Sequence, residues 1–438
     1  MMRGGASASA RHALAGARLT PSLGRHLTTS ARSTLPLMRS GNAADAARPG
    51  PESSRLFQAA SVHHETVPQA VHPVPSTPQA ASTRPGPSED GHDTIPGTGI
   101  RVFRTVDALR GWRRQQLLSG RTVGLVPTMG ALHAGHLDLV RSAARDNDDV
   151  VVSIYVNPTQ FGVHEDLGSY PRTWEADGQQ LASLQVGFAK SRDSIRGNVS
   201  AVFAPTTSVM YPSGPPSQEV DGNGSFVTIT PVGKLLEGAS RPTFFRGVAT
   251  VCMKLFLIVL PERAYFGQKD VQQTVVLRRM VKDFCIPLEI VVGQTVREQP
   301  DGLALSSRNV YLGTRRRAVA NVLRRSLLAA AEHAKIPTAT HANIMAAAHR
   351  VADETLAAQR QLLPGRRALF EIDYLSLSDF ETMEELGSSQ TVDPAKGAIL
   401  SGAVRMLPVE EPQPGEDLGH SNGPLVRLID NIVIQPTN

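Results

Sequence analysis

The sequence predicts an α/β fold, a doubly wound parallel sheet followed by a smaller α+β domain. Three observations predict it. Between residues 100 and 292, short apolar runs alternate with stretches of helical spacing, the pattern of strands joined by crossover helices. One run, 149–156, is almost continuously apolar, as expected of a strand covered on both faces. The motifs most able to carry chemistry follow such runs, and ligands of open α/β sheets sit beyond the carboxyl ends of the strands.

In chain order, residues 101–105 read as a strand and 106–118 as a helix. Residues 122–127 form an apolar strand that runs into Met129-Gly130, and a helix begins near Gly135 and continues to about Arg145. After strand 149–156 come a helix at 175–184, a strand at 201–204, a long helix at 246–260, a strand at 264–266, a helix at 272–284 and a strand at 288–292. Beyond Thr314 the pattern shifts. Two helical stretches, 315–335 and 342–361, precede three strands, at 373–377, 398–404 and 425–429. A Rossmann-like domain is therefore expected over 98–297 and a smaller C-terminal domain over 298–438. Two stretches read as surface insertions: 190–200, polar and without a period, and 408–424, rich in Pro, Gly and acids.

Residues 1–97 carry 11 of the 31 prolines, abundant Ala, Ser and Gly, and no sustained period, so disorder is expected there. Arg3, Arg11, Arg18, Arg25, Arg32 and Arg39 all precede the first acid, Asp45. An Arg-, Ser- and Ala-rich start without acids is the composition of a mitochondrial transit peptide. The alternative is a basic tail on a cytoplasmic enzyme.

Composition narrows the function classes. The chain is 41% hydrophobic and 19% charged, ordinary for a soluble globular protein. Its net charge of +5 owes much to the basic start, and no aromatic–basic stripe offers a stacking platform, so no nucleic-acid partner is expected. The longest apolar run, 248–260, is shorter than the ~20 residues a bilayer needs and contains Lys254, so it reads as a buried helix and no membrane partner is expected. Cys252 and Cys285 are too few for a disulfide framework or a four-cysteine zinc site, and both read as buried packing.

The strongest local feature is Pro127-Thr-Met-Gly-Ala-Leu-His133-Ala-Gly-His136, two histidines around Ala-Gly at a strand-to-helix junction. A helix N-terminus presents free amides and the positive end of its dipole, so it suits a phosphate, and each imidazole can donate to a phosphate oxygen. Half of a zinc site is the rival, but no obvious set of further ligands accompanies the pair. A second feature, Phe266-Gly267-Gln268-Lys269-Asp270, places Lys269 to meet phosphates and Asp270 to orient either a ribose or the lysine. A third, Leu305-Ser306-Ser307-Arg308-Asn309 after Asp301-Gly302, combines two hydroxyls and a guanidinium on a loop suited to clamp a leaving pyrophosphate.

His-x-Gly-His after a buried strand is a hallmark of the nucleotidyltransferase superfamily. In order, spacing and flanks the three segments resemble the pantothenate synthetase (pantoate–β-alanine ligase) family over about residues 100–438, omitting the two insertions. Val156-Asn-Pro-Thr-Gln-Phe161, Tyr170-Pro-Arg-Thr173, Leu236-Glu-Gly-Ala-Ser-Arg-Pro242, Phe245-Arg-Gly-Val248, Gln272-Gln273 and Leu428-Ile-Asp-Asn431 resemble it too. The resemblance implies ATP-dependent condensation of pantoate with β-alanine through a pantoyl adenylate, with Mg²⁺ and a homodimer. It implies that Met129, Gly130, Ala131, Leu132, His133, Ala134, Gly135 and His136 line the ATP site, with His136 the catalytic histidine; by residue type His133, Lys269 and Arg308 are catalytic donors beside it. Gly267, Gln268, Lys269, Asp270, Val296, Leu305, Ser306, Ser307 and Arg308 would contact the nucleotide. Gln160 and Gln273 would hold pantoate and β-alanine, and Asp177 would lie near the metal and its waters.

Two departures stand out. Where the family usually reads Arg-Pro-Gly-His-Phe, this chain has Arg241-Pro242-Thr243-Phe244-Phe245, and Gln268 replaces a common glutamate. Two rival readings remain: another nucleotidyltransferase or a tRNA synthetase, for which no tRNA-binding domain is recognisable, and a degenerate ATP-binding scaffold, which the intact His133, His136, Lys269 and Arg308 oppose.

Overall fold

The structure, a computed structural model, describes residues 93–162, 166–168, 170–190 and 195–437. The predicted transit peptide and nearly all of the predicted disordered region lie outside the described residues, as does the middle of the insertion at 190–200. The last residues of that region are ordered, contrary to expectation. Strand β1 (Asp93–Thr94) pairs antiparallel with β2 (Arg101–Phe103), and Ile95 is buried against the helix residue Gly178, giving the segment apolar burial that composition alone conceals.

The expected α/β architecture is present. Seven strands make one sheet: β1, β2, β3 (Val123–Thr128), β4 (Asp149–Ile154), β5 (Asn198–Phe203), β6 (Arg263–Gly267) and β7 (Glu289–Gly293), in the order β1-β2-β5-β4-β3-β6-β7. Every pair except β1–β2 is parallel. The connecting helices are α1 (Val106–Leu118), α2 (Ala134–Asp146), α3 (Trp174–Lys190), the short α4 (Thr207–Met210) and α5 (Glu237–Ser240), α6 (Phe244–Val259) and α7 (Val271–Asp283). Alternate residues of the strands feed two cores. Leu125, Val151 and Phe203 pack with α1, α6 and α7 on one face, whereas Val126, Val152 and Val202 pack with α2 and α3 on the other.

Further along lie α8 (Gly313–Arg317), α9 (Val322–Ala334) and α10 (His341–Arg360), then β8 (Phe370–Ser378), β9 (Ala398–Met406) and β10 (Val426–Ile434). The last three form an antiparallel sheet in the order β10-β9-β8, and α9 and α10 share its core. The helix expected over 315–335 is broken. Val319 and Val322 donate to carbonyls three residues back, which tightens the chain into turns between α8 and α9. Strand β5 starts inside the expected insertion at 190–200. The insertion at 408–424 is fastened to α8, where Arg315 meets Glu416 at 2.5 Å and the Thr314 amide reaches the Asp417 carbonyl at 3.2 Å. Cys252 is buried as expected, but Cys285 is exposed just past α7 with a φ of +51°. Most of α6 is buried, with Leu257 turned outward. No helix among the described residues is long and apolar enough to cross a membrane.

One pairing positions everything that follows. From β3 the chain moves outward through β4 and β5, then returns to place β6 on the other side of β3, so the strand order reverses between β3 and β6. That is where an open sheet forms its ligand crevice. β3 pairs with β4 at six positions, up to Thr128, but with β6 only at Gly124–Arg263 and Leu125–Ala264. The carbonyls of Thr122 and Thr128 accept amides on the β4 side and that of Val123 accepts the Glu262 amide on the β6 side. By this alternation Pro127 turns its backbone toward β6, where it has no N–H to give. The two strands therefore part after Leu125.

Candidate active site

The loop that leaves β3 crosses this opening. Gly130 and Ala131 both take positive φ, +82° and +50°, which turns the chain sharply into α2. The turn is held from beneath by Asp177 of α3, which is buried. Its carboxylate accepts the amides of Ala131 at 3.1 Å and Leu132 at 2.8 Å, and the Thr173 hydroxyl at 3.1 Å. His133 then caps α2, its Nδ1 accepting the Gly135 amide at 3.1 Å, so the proton of the neutral ring sits on Nε2.

His133 and His136 stack with ring centroids 4.0 Å apart. Burial, with the charge of Lys269 adding, pushes the pKa of His133 down to about 4. Burial and the neighbouring His133, then Lys269, push His136 down to about 3. Both rings are neutral at physiological pH, so each carries one N–H donor and no charge. Nδ1 of His136 is buried without a hydrogen-bond partner among the described residues.

A cavity of about 230 Å³ opens over these rings. It brings together Met129, His133, Gly135 and His136 from the first motif, and Gly267, Lys269 and Asp270 from the second. Val296, Leu305, Ser306, Ser307, Arg308, Gln160 and Gln273 line it as well. Six predicted residues do not line it. Gly130, Ala131, Leu132 and Ala134 shape the turn behind it; Gln268 reaches away to the Asn431 Oδ1 at 3.2 Å; and Asp177 faces the loop amides. Asp270 lies 3.2 Å from the Lys269 ammonium and is the carboxylate on the cavity wall. Among the described residues no group of three or more His, Cys, Asp or Glu gathers to hold a metal.

Gln160 is held from below. Asn157 donates to its Oε1 at 3.0 Å and to the Gly247 carbonyl at 3.3 Å, while Asn157 Oδ1 accepts from Tyr211 at 2.8 Å and Thr159 at 3.0 Å. Gly247 of α6 lets the turn Pro158–Gln160 lie against the helix, because a Cβ there would meet the Thr159 carbonyl oxygen at 2.2 Å. The neighbouring Gln272 has a different task from Gln273. It is buried and ties α7 to the carbonyls of Val232 and Leu235.

Two adjacent residues of β10 tie down the loops that carry Lys269 and Arg308. Asn431 donates to the carbonyls of Gln268 at 2.7 Å and Lys269 at 2.9 Å. Asp430 takes both terminal nitrogens of Arg297, at 2.7 and 2.9 Å, at the base of the loop that carries Ser306–Arg308. Thus β10 orients both cationic motifs.

Residues 101–433 match the family model for pantoate-beta-alanine ligase. The chain belongs to the pantoate–β-alanine ligase family. A pantothenate synthetase of Roseiflexus sp. (strain RS-1) is 45% identical over 308 residues, 70% of this chain and 98% of the relative. The pantoate–β-alanine ligase of Saccharomyces cerevisiae is 39% identical over 347 residues, 76% of this chain and all of the relative. Among solved structures, pantothenate synthetase from Thermus thermophilus aligns with a TM-score of 0.57 at 39% identity, over 77% of this chain and 100% of its own. The ligase from Francisella tularensis, solved in complex with β-γ ATP and β-alanine, aligns with a TM-score of 0.51 at 28% identity over 77% of this chain and 100% of its own. Pantoate–β-alanine ligases are carbon–nitrogen ligases, and this chain is an enzyme of that class.

Against the usual pattern of pantoate–β-alanine ligases, Phe244 has a visible consequence. The Arg241 guanidinium stacks 3.7 Å over its ring and donates to the Gln160 carbonyl at 3.2 Å, and both side chains line the cavity. Arg241, Phe244, Asn157 and Thr295 belong to this site without having been singled out from the sequence as site residues. Arg241, Phe244 and Asn157 lay in or beside family segments, but their contacts come from α6 and Tyr211, remote in the chain.

Proposed function

We propose that this chain condenses pantoate with β-alanine through an enzyme-bound pantoyl adenylate, releasing AMP and pyrophosphate. The observation that carries the proposal is a single cavity holding a neutral histidine pair, Lys269 and the Ser306–Arg308 clamp together with the uncharged Gln160 and Gln273. A pantoate carboxylate oxygen attacks the α-phosphorus of ATP, the bond to the bridging oxygen breaks, and pyrophosphate leaves. The β-alanine amine then attacks the acyl carbon, loses a proton, and AMP departs with the former carboxylate oxygen.

No covalent enzyme nucleophile is required. The only thiol on the cavity wall, that of Cys252, is pushed up to about 12 by burial and stays protonated. Catalysis is positioning and charge stabilisation. His136 and His133 donate to the α-phosphate, Lys269 and Arg308 offset charge on the leaving pyrophosphate, and Gln160 and Gln273 orient pantoate and β-alanine without adding charge. Asp270, the carboxylate on the cavity wall, would face a Mg²⁺ brought with ATP, which would supply neutralisation of phosphate charge.

Pantoate-dependent exchange between ATP and labelled pyrophosphate tests the reading. Formation of ADP and phosphate instead would overturn it, as would ATP binding without exchange. A homodimer, carried over from the family resemblance, is tested by sedimentation of the purified chain. Import into mitochondria, proposed from the acid-free basic start, is tested by N-terminal sequencing of protein from the native cell. An intact Met1 in a cytosolic fraction would rule it out.

A further inference from the structure

A second cavity, of about 560 Å³, adjoins the first. Arg241, Phe244, Lys269, Asp270, Ser306 and Arg308 line both, so the polyphosphate clamp is a shared wall. We propose that this second cavity is a binding site for inorganic pyrophosphate as it leaves the clamp, with Arg324 as its dedicated cation. The assignment presupposes the adenylate reaction, whose leaving group it receives.

Arg324, on α9, is half-buried and lines the far side of the cavity. Among the described residues it makes no direct hydrogen bond or ion pair, and the carboxylate whose charge reaches it, Asp430, is already engaged. Asp430 is bound by both terminal nitrogens of Arg297. The Arg324 side chain lies across the first turn of the clamp loop, for a Cβ on Gly302 would stand 2.8 Å from its Nε.

A half-buried guanidinium that no group bonds directly, and that shares its nearest carboxylate with another arginine, is under-compensated. Burial and repulsion from Arg297 lower its pKa, and the attraction of Asp430 offsets them only in part. An arginine still stays charged at neutral pH. An anion entering from the clamp would supply a direct partner. Diphosphate fits best by position, since the wall between the two cavities carries Lys269 and Arg308, the groups that the adenylate reading assigns to the leaving pyrophosphate. Pantoate and β-alanine have their polar anchors, Gln160 and Gln273, in the first cavity alone.

The test uses the full chain and inorganic pyrophosphate as the probe. Calorimetric titration without ATP gives the dissociation constant, and product inhibition of pantothenate formation gives a second one. Arg324→Met keeps the length of the stem and removes the charge. It should weaken pyrophosphate by about tenfold or more, as expected for loss of a charge-assisted contact, and by several times more than it raises KM for ATP. Arg324→Lys should recover part of the affinity, and Arg325→Ala, on the exposed side of the same helix, should match wild type. Arg324→Gln gives the same comparison if the Met variant does not fold. Unaltered pyrophosphate affinity on loss of the charge, or equal losses for ATP and pyrophosphate, would overturn the proposal. Absence of pantoate-dependent AMP formation in the wild type would instead sink the adenylate reading, while the titration would still report on Arg324.

Discussion

Asp177 holds the backbone amide of Leu132 at 2.8 Å, and through it the turn that delivers His133 to the cavity. This carboxylate supports the loop after β3 from behind the cavity. Asp177→Ala would leave the buried amides of Ala131 and Leu132 without acceptors, a cost of about 1–3 kcal/mol each. The expected outcome is a kcat reduced about 10- to 100-fold with the Mg²⁺ concentration for half-maximal rate little altered. Kinetics over a Mg²⁺ series check it, and a large rise in the Mg²⁺ requirement would return Asp177 to the metal.

His136→Ala and Lys269→Ala should each slow adenylate formation while leaving the fold intact. A contact supplying about 2–4 kcal/mol in the transition state corresponds to a loss of about 30- to 1,000-fold. Pyrophosphate exchange measures it, and near-normal exchange in His136→Ala would reassign the catalytic histidine. Gln160→Ala should act mainly on the KM values for pantoate and β-alanine.

The histidine pair also predicts how stability varies with pH. Both rings are depressed in the folded state, to about 4 and about 3, against 6.5 in the unfolded chain. Between pH 6.5 and those values the unfolded chain binds protons that the folded one does not, so unfolding becomes easier as pH falls. Their contribution is complete above pH 6.5 and declines by up to about 1.4 kcal/mol per pH unit for each ring. Urea unfolding between pH 7 and 4.5 should be less pH-dependent in His133→Gln/His136→Gln. An unchanged slope would show that the rings are protonated in the folded enzyme.

Gly247→Ala places a methyl group 2.2 Å from the Thr159 carbonyl oxygen and 2.7 Å from the Gln160 amide. Either the helix or the turn must move, at a cost of about 1–3 kcal/mol. If the turn moves, KM for pantoate should rise more than KM for ATP. Denaturation and steady-state kinetics read the two effects separately.

The parts of this molecule readable in its sequence are those with local causes. Alternating apolar runs announced the strands, and His133 and His136, Lys269 and Arg308 announced themselves by residue type beside strand ends. Supports were harder to read, because their meaning depends on what folds against them. Asp177 looks like any helix acid until the amides of 131 and 132 arrive over it. Asn431 matched a family segment, yet its work on the Gln268 and Lys269 carbonyls spans more than 160 residues of chain. Ile95 was lost among prolines because a single buried residue leaves no period.

The parting of β3 and β6 makes the site a fork whose tines are strands and whose throat is the last rung, Leu125 with Ala264. Paired strands run about 4.8 Å apart, too close for a phosphate to pass between them. The aperture is therefore set by where pairing stops, and not by the length of any loop. Pro127 acts as a zip stop, withholding the N–H that the next rung on that side would use. A residue with an amide at 127 would allow the throat to advance toward His133 and His136, narrowing the entrance while every side chain named in the chemistry stayed in place.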